Sequence, residues 1–394
     1  MPKITIRPVV GDEMLEIAYW MSSYAFRASP PFPDKEERFE IIKSRKGIDY
    51  FALFEDDTPA AVAASTPLTQ NVRGSIFNMS GIYNVATHPA YRRKGYSRKV
   101  LAQLLSTIHD KGWPFTCLYP FRESFYERLG YVTFPQPRIA KFSPSTLQPL
   151  LKKDLEGEVE ITLIGEGYES YRQWLYEMQP RIHGMGVFEH GNEAGAKQNQ
   201  SWIATARADG EAIGLMLYSL KGEEVTKFKF HAPRFYYKNS QGKYLLLEWI
   251  ARHIDQAVEA EIWLPPSELP ETWLTDMEVQ TEPAWIPPLG RVLDVEKIGG
   301  MQTGLGSFTA MISDPLCPWN EGVWKFESAD NALQVSKAKD PQCGLNINAL
   351  SALIYGTHDP SDFSIRGWGN PSTELQETMR SIFPYRLPFL HEYY

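Results

Sequence analysis

"NVATHPAYRRKGYSRKVLAQLLSTIH", Asn84 to His109, is the stretch whose reading decides this chain. A β-branched and apolar run meets Pro89, and the three adjacent cations Arg92, Arg93 and Lys94 lead into Gly95. The helix that follows carries Val100, Leu101, Leu104, Leu105 and Ile108 on one stripe, so it packs on one side only. Helix N-termini present unpaired backbone N–H groups and about half a positive charge. A glycine lets the backbone come close to a ligand with no Cβ in the way. The combination predicts a turn that holds a pyrophosphate. An isolated R-x-x-G is commonly a solvated basic cap; the strand directly before this one gives it weight.

The whole chain has 394 residues, which points to two or three domains. Its 43% hydrophobic and 22% charged residues are ordinary globular composition, and 13% aromatic residues argue against disorder. The net charge of −8 argues against non-specific nucleic-acid binding as the main task. Cys117, Cys317 and Cys343 are too few and too scattered for a disulfide framework or a zinc site, so no metal is expected. "MPKITIRPVVGDE" lacks the apolar run of a secretion signal. No stretch approaches the roughly 18 apolar residues that span a bilayer. A soluble, cytoplasmic protein is the expectation.

Along the chain, "ITIRPV" alternates as a strand and Gly11 to Phe26 has helical spacing. Prolines break the next segment, and a second helix starts after Pro33. "DYFALFEDDTPAAVAAST" predicts a strand, an acidic turn and a second strand; "SIFNMSGIYNVATHP" predicts a third. After the basic turn and its helix come a short strand, "PFTCLYP", and "RESFYERLGYVTF", a short helix stopping at Gly130 and entering another strand. A connector with a short helix, "SPSTLQPLLKKDLEGE", follows. Then the order returns: a helix over 168–182, a hairpin around Asp209-Gly210, the strand "VTKFKFHAP", the helix "SQGKYLLLEWIARHIDQA" and the strand "EIWLPP". This predicts a diverged internal duplication. From about Val295 the style changes to strands with turn signals, the short helix "NINALSALIYG", and a helix with the aromatic tail "PFLHEYY".

Arg92-Arg93-Lys94-Gly95-Tyr96-Ser97 resembles the R-x-x-G-x-(G/A) acetyl-CoA pyrophosphate loop of the GNAT superfamily of N-acetyltransferases. Ser97 departs from the usual Gly or Ala, but it is small, and its hydroxyl could cap the helix. "FYERLGYVTF" is similar to the segment those enzymes place beside the CoA thiol. The order of parts over the whole chain resembles the enhanced-intracellular-survival (Eis-like) acetyltransferases. That resemblance implies an α+β and α/β architecture. Residues 1–145 would form a catalytic GNAT mixed-sheet domain, 146–290 a second, degenerate GNAT domain, and 291–394 a sterol-carrier-protein-like α+β domain with a C-terminal tail. At the second repeat's turn, Asn239-Ser240-Gln241-Gly242-Lys243, the cation cluster is gone, and a scaffold role is expected there.

The resemblance also implies acetyl-CoA as cofactor and an amine acceptor, with site residues carried over position by position. Strand residues Ile82, Tyr83, Asn84, Val85 and Ala86 would align the pantetheine through their backbone, with Arg92, Arg93, Lys94, Gly95, Tyr96 and Ser97 holding the pyrophosphate. Tyr126 is the candidate general acid, a phenol near pKa 10 facing a thiolate whose conjugate acid is near 8.5. The general base would be the α-carboxylate of Tyr394, brought into the catalytic domain by the aromatic tail. His88 reads as a strand-end residue. Cys117 allows a covalent route, although a Cys in an apolar strand reads first as core. Tyr24, Phe26 and Glu392 could line the acceptor pocket, since acid and aromatics suit a cationic amine; Glu392 by itself reads as solvated. The acceptor would be aminoglycoside-, polyamine- or lysine-like. A longer acyl donor, or a non-catalytic acyl-CoA or lipid carrier, remain open alternatives. The family's assembly implies a homo-oligomer, a hexamer built as a trimer of dimers.

Overall fold

The computed structural model describes residues 2–27, 30–191, 201–284 and 286–394, with Arg27 described in its backbone alone. The chain divides into two compact units: Met1–Phe134 with Ile182–Asn192 and Pro288–Tyr394, and Pro135–Arg181 with Glu193–Pro287. Among the described residues no helix is long and apolar enough to cross a membrane.

The first unit is built on a mixed sheet. Its strands are β1 (Ile4–Pro8), β2 (Asp49–Glu55), β3 (Thr58–Val72), β4 (Ser75–Thr87), β5 (Phe115–Leu118) and β6 (Val132–Thr133). β1 to β4 form an antiparallel meander. Its two tight turns use left-handed residues: Asp56 and Asp57, then Arg73 and Gly74. Helices α1 (Gly11–Arg27) and α2 (Lys35–Ser44) separate β1 from β2. Helix α3 (Tyr96–Asp110) is the crossover that sets β5 parallel to β4. Its predicted stripe is buried, with Val100, Leu104 and Ile108 packed against Phe51, Leu53 and Ile82. A short helix, α4 (Glu123–Glu127), leads to β6.

The sequence reading sets β5 and β6 as a final pair. Here the strand Leu289–Val292 lies between them, antiparallel to both. The segment Gly186–Phe188 adds a further antiparallel pairing to β3. The C-terminal part forms a four-stranded sheet in the order Ala332–Lys337, Gly322–Ala329, Ser307–Ser313, Cys343–Asn346. Its helix Ile347–Tyr355 is buried along its whole length and shares one core with Met79, Phe115, Phe134 and Val292 of the mixed sheet.

The second unit repeats the topology. A parallel pair, Phe228–Tyr237 with Ala257–Leu264, is joined by the crossover helix Ser240–Ala251 within a seven-stranded sheet. The hairpin Trp202–Ala208 with Glu211–Lys221 turns at Asp209-Gly210. Its helix Ile164–Met178 begins and ends four residues earlier than the spacing suggests, because Gln179–Arg181 continues as a 3₁₀ turn.

Candidate active site

Two features of the first sheet open a slot at the head of α3. First, β4 pairs with β5 only over Met79–Ile82, against Phe115–Leu118. β5 ends there, and β4 runs on to Thr87, so among the described residues its edge from Tyr83 onward has no strand partner on that side. Second, β4 carries a bulge at this point. Asn84 and Val85 together face Ala63, and Asn84 is left-handed at φ 52°. The Asn84 side chain is committed to structure. Its Oδ1 accepts from Ser22 Oγ at 2.7 Å and its Nδ2 donates to the Tyr50 hydroxyl at 2.8 Å. Only backbone groups are therefore left to meet a ligand at this residue. Tyr83 is half-buried, with Arg45 5.0 Å from its ring centroid.

Gly95 is the N-cap of α3, at φ 76°, and no side chain caps the helix. The predicted cap from Ser97 is absent, because Ser97 is already inside the first turn. A Cβ on Gly95 would meet nothing within 4 Å. The glycine is there for its backbone conformation and for open space, which is what a bound anion needs. The second repeat shows the opposite. Asn239 Oδ1 accepts from the N–H of Gly242, and a Cβ on Gly242 would lie 2.2 Å from the Ile213 carbonyl oxygen. That helix head is capped by its own chain and closed by packing. Of these two helix heads, the first is open and the second closed.

The cations divide. Arg92 and Arg93 are exposed, Arg92 Nε reaching only the Thr87 carbonyl oxygen at 3.4 Å. Lys94 instead pairs with Glu55 at 2.8 Å, and Tyr96 is buried with its hydroxyl on the same carboxylate. These contacts, the Lys94 bond first, hold the Glu55 carboxyl below its usual range. Lys94 and Tyr96 therefore shape the turn, while Arg92 and Arg93 are the side chains free to meet phosphate.

Tyr126, on α4, is 4% exposed and touches the rings of Phe121, Phe125 and Tyr131. Burial, with Tyr131 beside it, pushes its phenol well above the ordinary value, so it stays protonated at neutral pH. Cys117 is buried on β5, and burial pushes its thiol up to about 12. Gln70 Nε2 donates to its sulfur at 3.3 Å. This is a core cysteine with no available thiolate. His88 caps the turn Pro89–Tyr91 by accepting from Ala90 N–H.

The tail enters the same unit. Tyr394 lies over β4: a Cβ on Gly81 would sit 2.6 Å from Tyr394 Cζ. Its ring also faces Phe188 and Tyr119. Its hydroxyl is buried with no partner among the described residues. Tyr119 donates its hydroxyl to the Glu392 carbonyl oxygen at 3.1 Å and stacks edge-on with Tyr393. Gly81 is also where β4 and β5 are about to part, so the tail ends beside the slot. The Glu392 side chain is not solvated; it is 15% exposed and approaches buried His391 at 3.8 Å. Tyr24 and Phe26 are 40% and 59% exposed on the last turns of α1, and Tyr24 packs on Trp20. Among the described residues no contact brings either to Glu392.

Residues that the sequence reading does not single out hold the tail. Arg73, in the β3–β4 turn, is buried and donates to the carbonyls of Leu353, Ile354 and Pro384. Its own N–H donates to His183 Nδ1, which leaves His183 Nε2 to donate to the Tyr355 carbonyl. The His183 carbonyl in turn accepts from Phe389 N–H. Burial, then the Arg73 charge, lower the His183 imidazole to about 3. His183 is thus neutral in the folded state, while the unfolded chain takes up a proton near pH 6.5. Its contribution to stability is present above pH 6.5 and is lost as the pH falls toward 3, at about 1.4 kcal/mol per unit. Urea unfolding at pH 6.5 and 4.5 is expected to show a steeper loss in wild type than in His183→Gln, by about 2–3 kcal/mol over that interval. Equal slopes would count against a neutral His183.

The comparisons with known proteins agree with this geometry. Residues 5–134 match the family model described as an acetyltransferase (GNAT) domain, and residues 301–391 match the sterol carrier protein domain. A GCN5-related N-acetyltransferase from Anabaena variabilis ATCC 29413 has the same fold over 100% of both chains, with TM-score 0.87 at 15% identity. A probable N-acyltransferase from Enterococcus faecalis V583 gives TM-score 0.82 at 18% identity, again over 100% of both chains. Eis1 from Mycobacterium abscessus gives TM-score 0.78 at 15% identity over 99% of this chain and 100% of that one. No curated protein sequence matches the chain. With the glycine turn at the head of α3, residues 5–134 form a GNAT-type acetyltransferase domain and residues 301–391 a sterol carrier protein domain, in a chain that shares the fold of Eis1.

Proposed function

We propose that this enzyme moves an acetyl group from acetyl-CoA to a primary amine by direct attack. The observation that carries the reading is the uncapped α3 head at Gly95, open to solvent, beside the unpaired edge of β4. Acetyl-CoA supplies the acyl group activated as a thioester. Backbone N–H groups at the α3 head, with Arg92 and Arg93, bind the pyrophosphate. The β4 edge from Tyr83 to Ala86 aligns the pantetheine, as an added strand would be aligned. Tyr126 holds a proton for the leaving sulfur. Desolvation raises its phenol, and it disfavours a thiolate in the same place, so donor and acceptor stay matched. The Tyr394 α-carboxylate accepts the amine's proton, and the seat of its ring over Gly81, where β4 and β5 part, supports that role. The raised Cys117 thiol supports direct attack over a covalent acyl-enzyme.

An acidic chain, net −8, with an aromatic tail suits a cationic acceptor: an aminoglycoside, a polyamine or a lysine-like amine. A longer acyl donor is the second reading, favoured by Phe121, 68% exposed beside Phe125 and Tyr126. Thiol release over a panel of these amines, with acetyl-CoA and a medium-chain acyl-CoA, tests both readings. Arg92→Ala/Arg93→Ala is expected to weaken CoA binding by about tenfold or more, since each charge-assisted phosphate contact is worth roughly 1.5–3 kcal/mol. Undiminished CoA affinity in that variant would remove the pyrophosphate turn from the proposal. Cys117→Ala is expected to keep most of kcat.

A further inference from the structure

A cavity of about 390 Å³ opens where the first turn of α3, the end of α4 and the C-terminal domain meet. Arg98, Arg128 and Arg366 line it, together with Glu127, Asp314 and Trp368. Its size falls in the range of small-molecule sites, about 300–1,000 Å³. Its charge is unlike that of the chain as a whole, which is net −8. Asp314 is already committed, bonded to the buried Arg291 and accepting from Asn320 Nδ2 at 2.8 Å. Glu127 takes a single N–H of Arg366, at 3.3 Å, across an exposed pair. Exposed pairs of this kind are weak and are readily exchanged for a better anion. Arg366 sits over Trp368, its guanidinium carbon 4.7 Å from the ring centroid, which restrains the guanidinium fork. Arg128 spends its Nε on the Ser124 carbonyl and keeps its two terminal nitrogens. Among the described residues Arg98 has no ion-pair partner. Three guanidinium forks in one concave site match a phosphate, which they can hold with paired N–H bonds.

Position identifies the phosphate. Arg98 stands one helical turn beyond Gly95, so the cavity begins where the proposed pyrophosphate turn ends. Coenzyme A carries a second phosphate, on the 3′-hydroxyl of its ribose, just past that pyrophosphate. We propose that this cavity takes the 3′-phosphoribose end of the acyl-CoA donor, with Arg366 and Arg128 on the phosphate. The sterol carrier domain then has a part in donor binding, through Arg366. The inference rests on the acetyl-CoA reading above, and the experiment separates the two.

Binding of CoA and of 3′-dephospho-CoA is measured by calorimetry on wild type, Arg366→Gln, Arg128→Gln and Arg92→Ala/Arg93→Ala, with thermal melting as a fold control. Wild type is expected to prefer CoA by about tenfold or more. Arg366→Gln and Arg128→Gln are each expected to lose most of that preference while holding dephospho-CoA as wild type does. Arg92→Ala/Arg93→Ala is expected to weaken both ligands alike. Equal affinity of wild type for the two ligands, with Arg92→Ala/Arg93→Ala still weakening both, would overturn the cavity assignment and leave the acetyl-CoA reading standing. Loss of both ligands in equal measure in Arg366→Gln would also overturn it. Absence of CoA binding in wild type would overturn the two together.

Discussion

Removing Tyr393 and Tyr394 is expected to lower kcat for acetyl transfer by about 10²–10⁴, the usual worth of a positioned general base, while CoA still binds. The loss has a geometric source. The tail is tied down along its length, by Phe389 N–H to His183, by Arg73 to Pro384, and by Tyr119 to Glu392. Its last ring fills the space over Gly81. A terminal carboxylate on a residue anchored by its ring needs less ordering when the amine arrives. Three further variants separate the carboxylate from the ring. Tyr394→Phe keeps both and removes only a buried hydroxyl with no partner among the described residues, so its kcat is expected near wild type and its stability equal or higher. Tyr394→Ala keeps the carboxylate and loses its anchor. Gly81→Ala leaves the tail's sequence untouched and places a methyl 2.6 Å from the ring, so it is expected to displace the tail and lower kcat with little change in the affinity for CoA. Full activity in the two-residue deletion would move the base elsewhere. Full activity in Gly81→Ala with the deletion inactive would mean the tail reaches the slot without this seat.

The contrast between Gly95 and Gly81 shows what a sequence can carry. Gly95 is legible because its whole reason is local: a strand, a left-handed cap and an amphipathic helix within one short stretch. The crossover topology, the duplication and the division of α3 into two faces follow from the same kind of local pattern. Gly81 has no local signature. It is required by a ring 313 positions later in the numbering, Tyr394, and nothing in "NMSGIYN" announces that. The short strand Leu289–Val292 is missed for a related reason: four residues carry no period, and both its partners lie more than 150 residues upstream. Arg73 and His183 look like an ordinary turn arginine and loop histidine until the α-helical carbonyls of Leu353 and Ile354 arrive beside them. Counting charges in the turn likewise does not show that the Lys94 and Tyr96 side chains share Glu55 across it.

Replacing Asp314 by Ala is expected to be the most destabilising single change in the first unit. Arg291 lies on the strand inserted between β5 and β6 and is fully buried, with the Asp314 carboxylate against its guanidinium. Burial alone would lower its basicity, but Asp314 outweighs that and the guanidinium is held charged. Its other N–H groups donate to the carbonyls of Leu129 and Val292. Asp314 also accepts from Asn320 and from Cys317 N–H, so the carboxylate is fully used. Removing it leaves a buried cation with no counter-charge, which costs about 3–5 kcal/mol. A double variant, Arg291→Met/Asp314→Leu, removes both charges and is expected to recover most of that loss, because the pair itself repays little beyond its own desolvation. The effect should also reach chemistry. Leu129, whose carbonyl Arg291 holds, lies three residues after Tyr126, and a Cβ on the next residue, Gly130, would already be 3.0 Å from the Arg291 guanidinium. Loosening that grip frees the end of α4, which sets where the Tyr126 hydroxyl points. In urea titrations Asp314→Ala should therefore lose several kcal/mol, and its folded fraction should show reduced kcat at unchanged CoA affinity. If the double variant is as unstable as the single one, the cost comes from packing around Asp314 and not from the stranded charge.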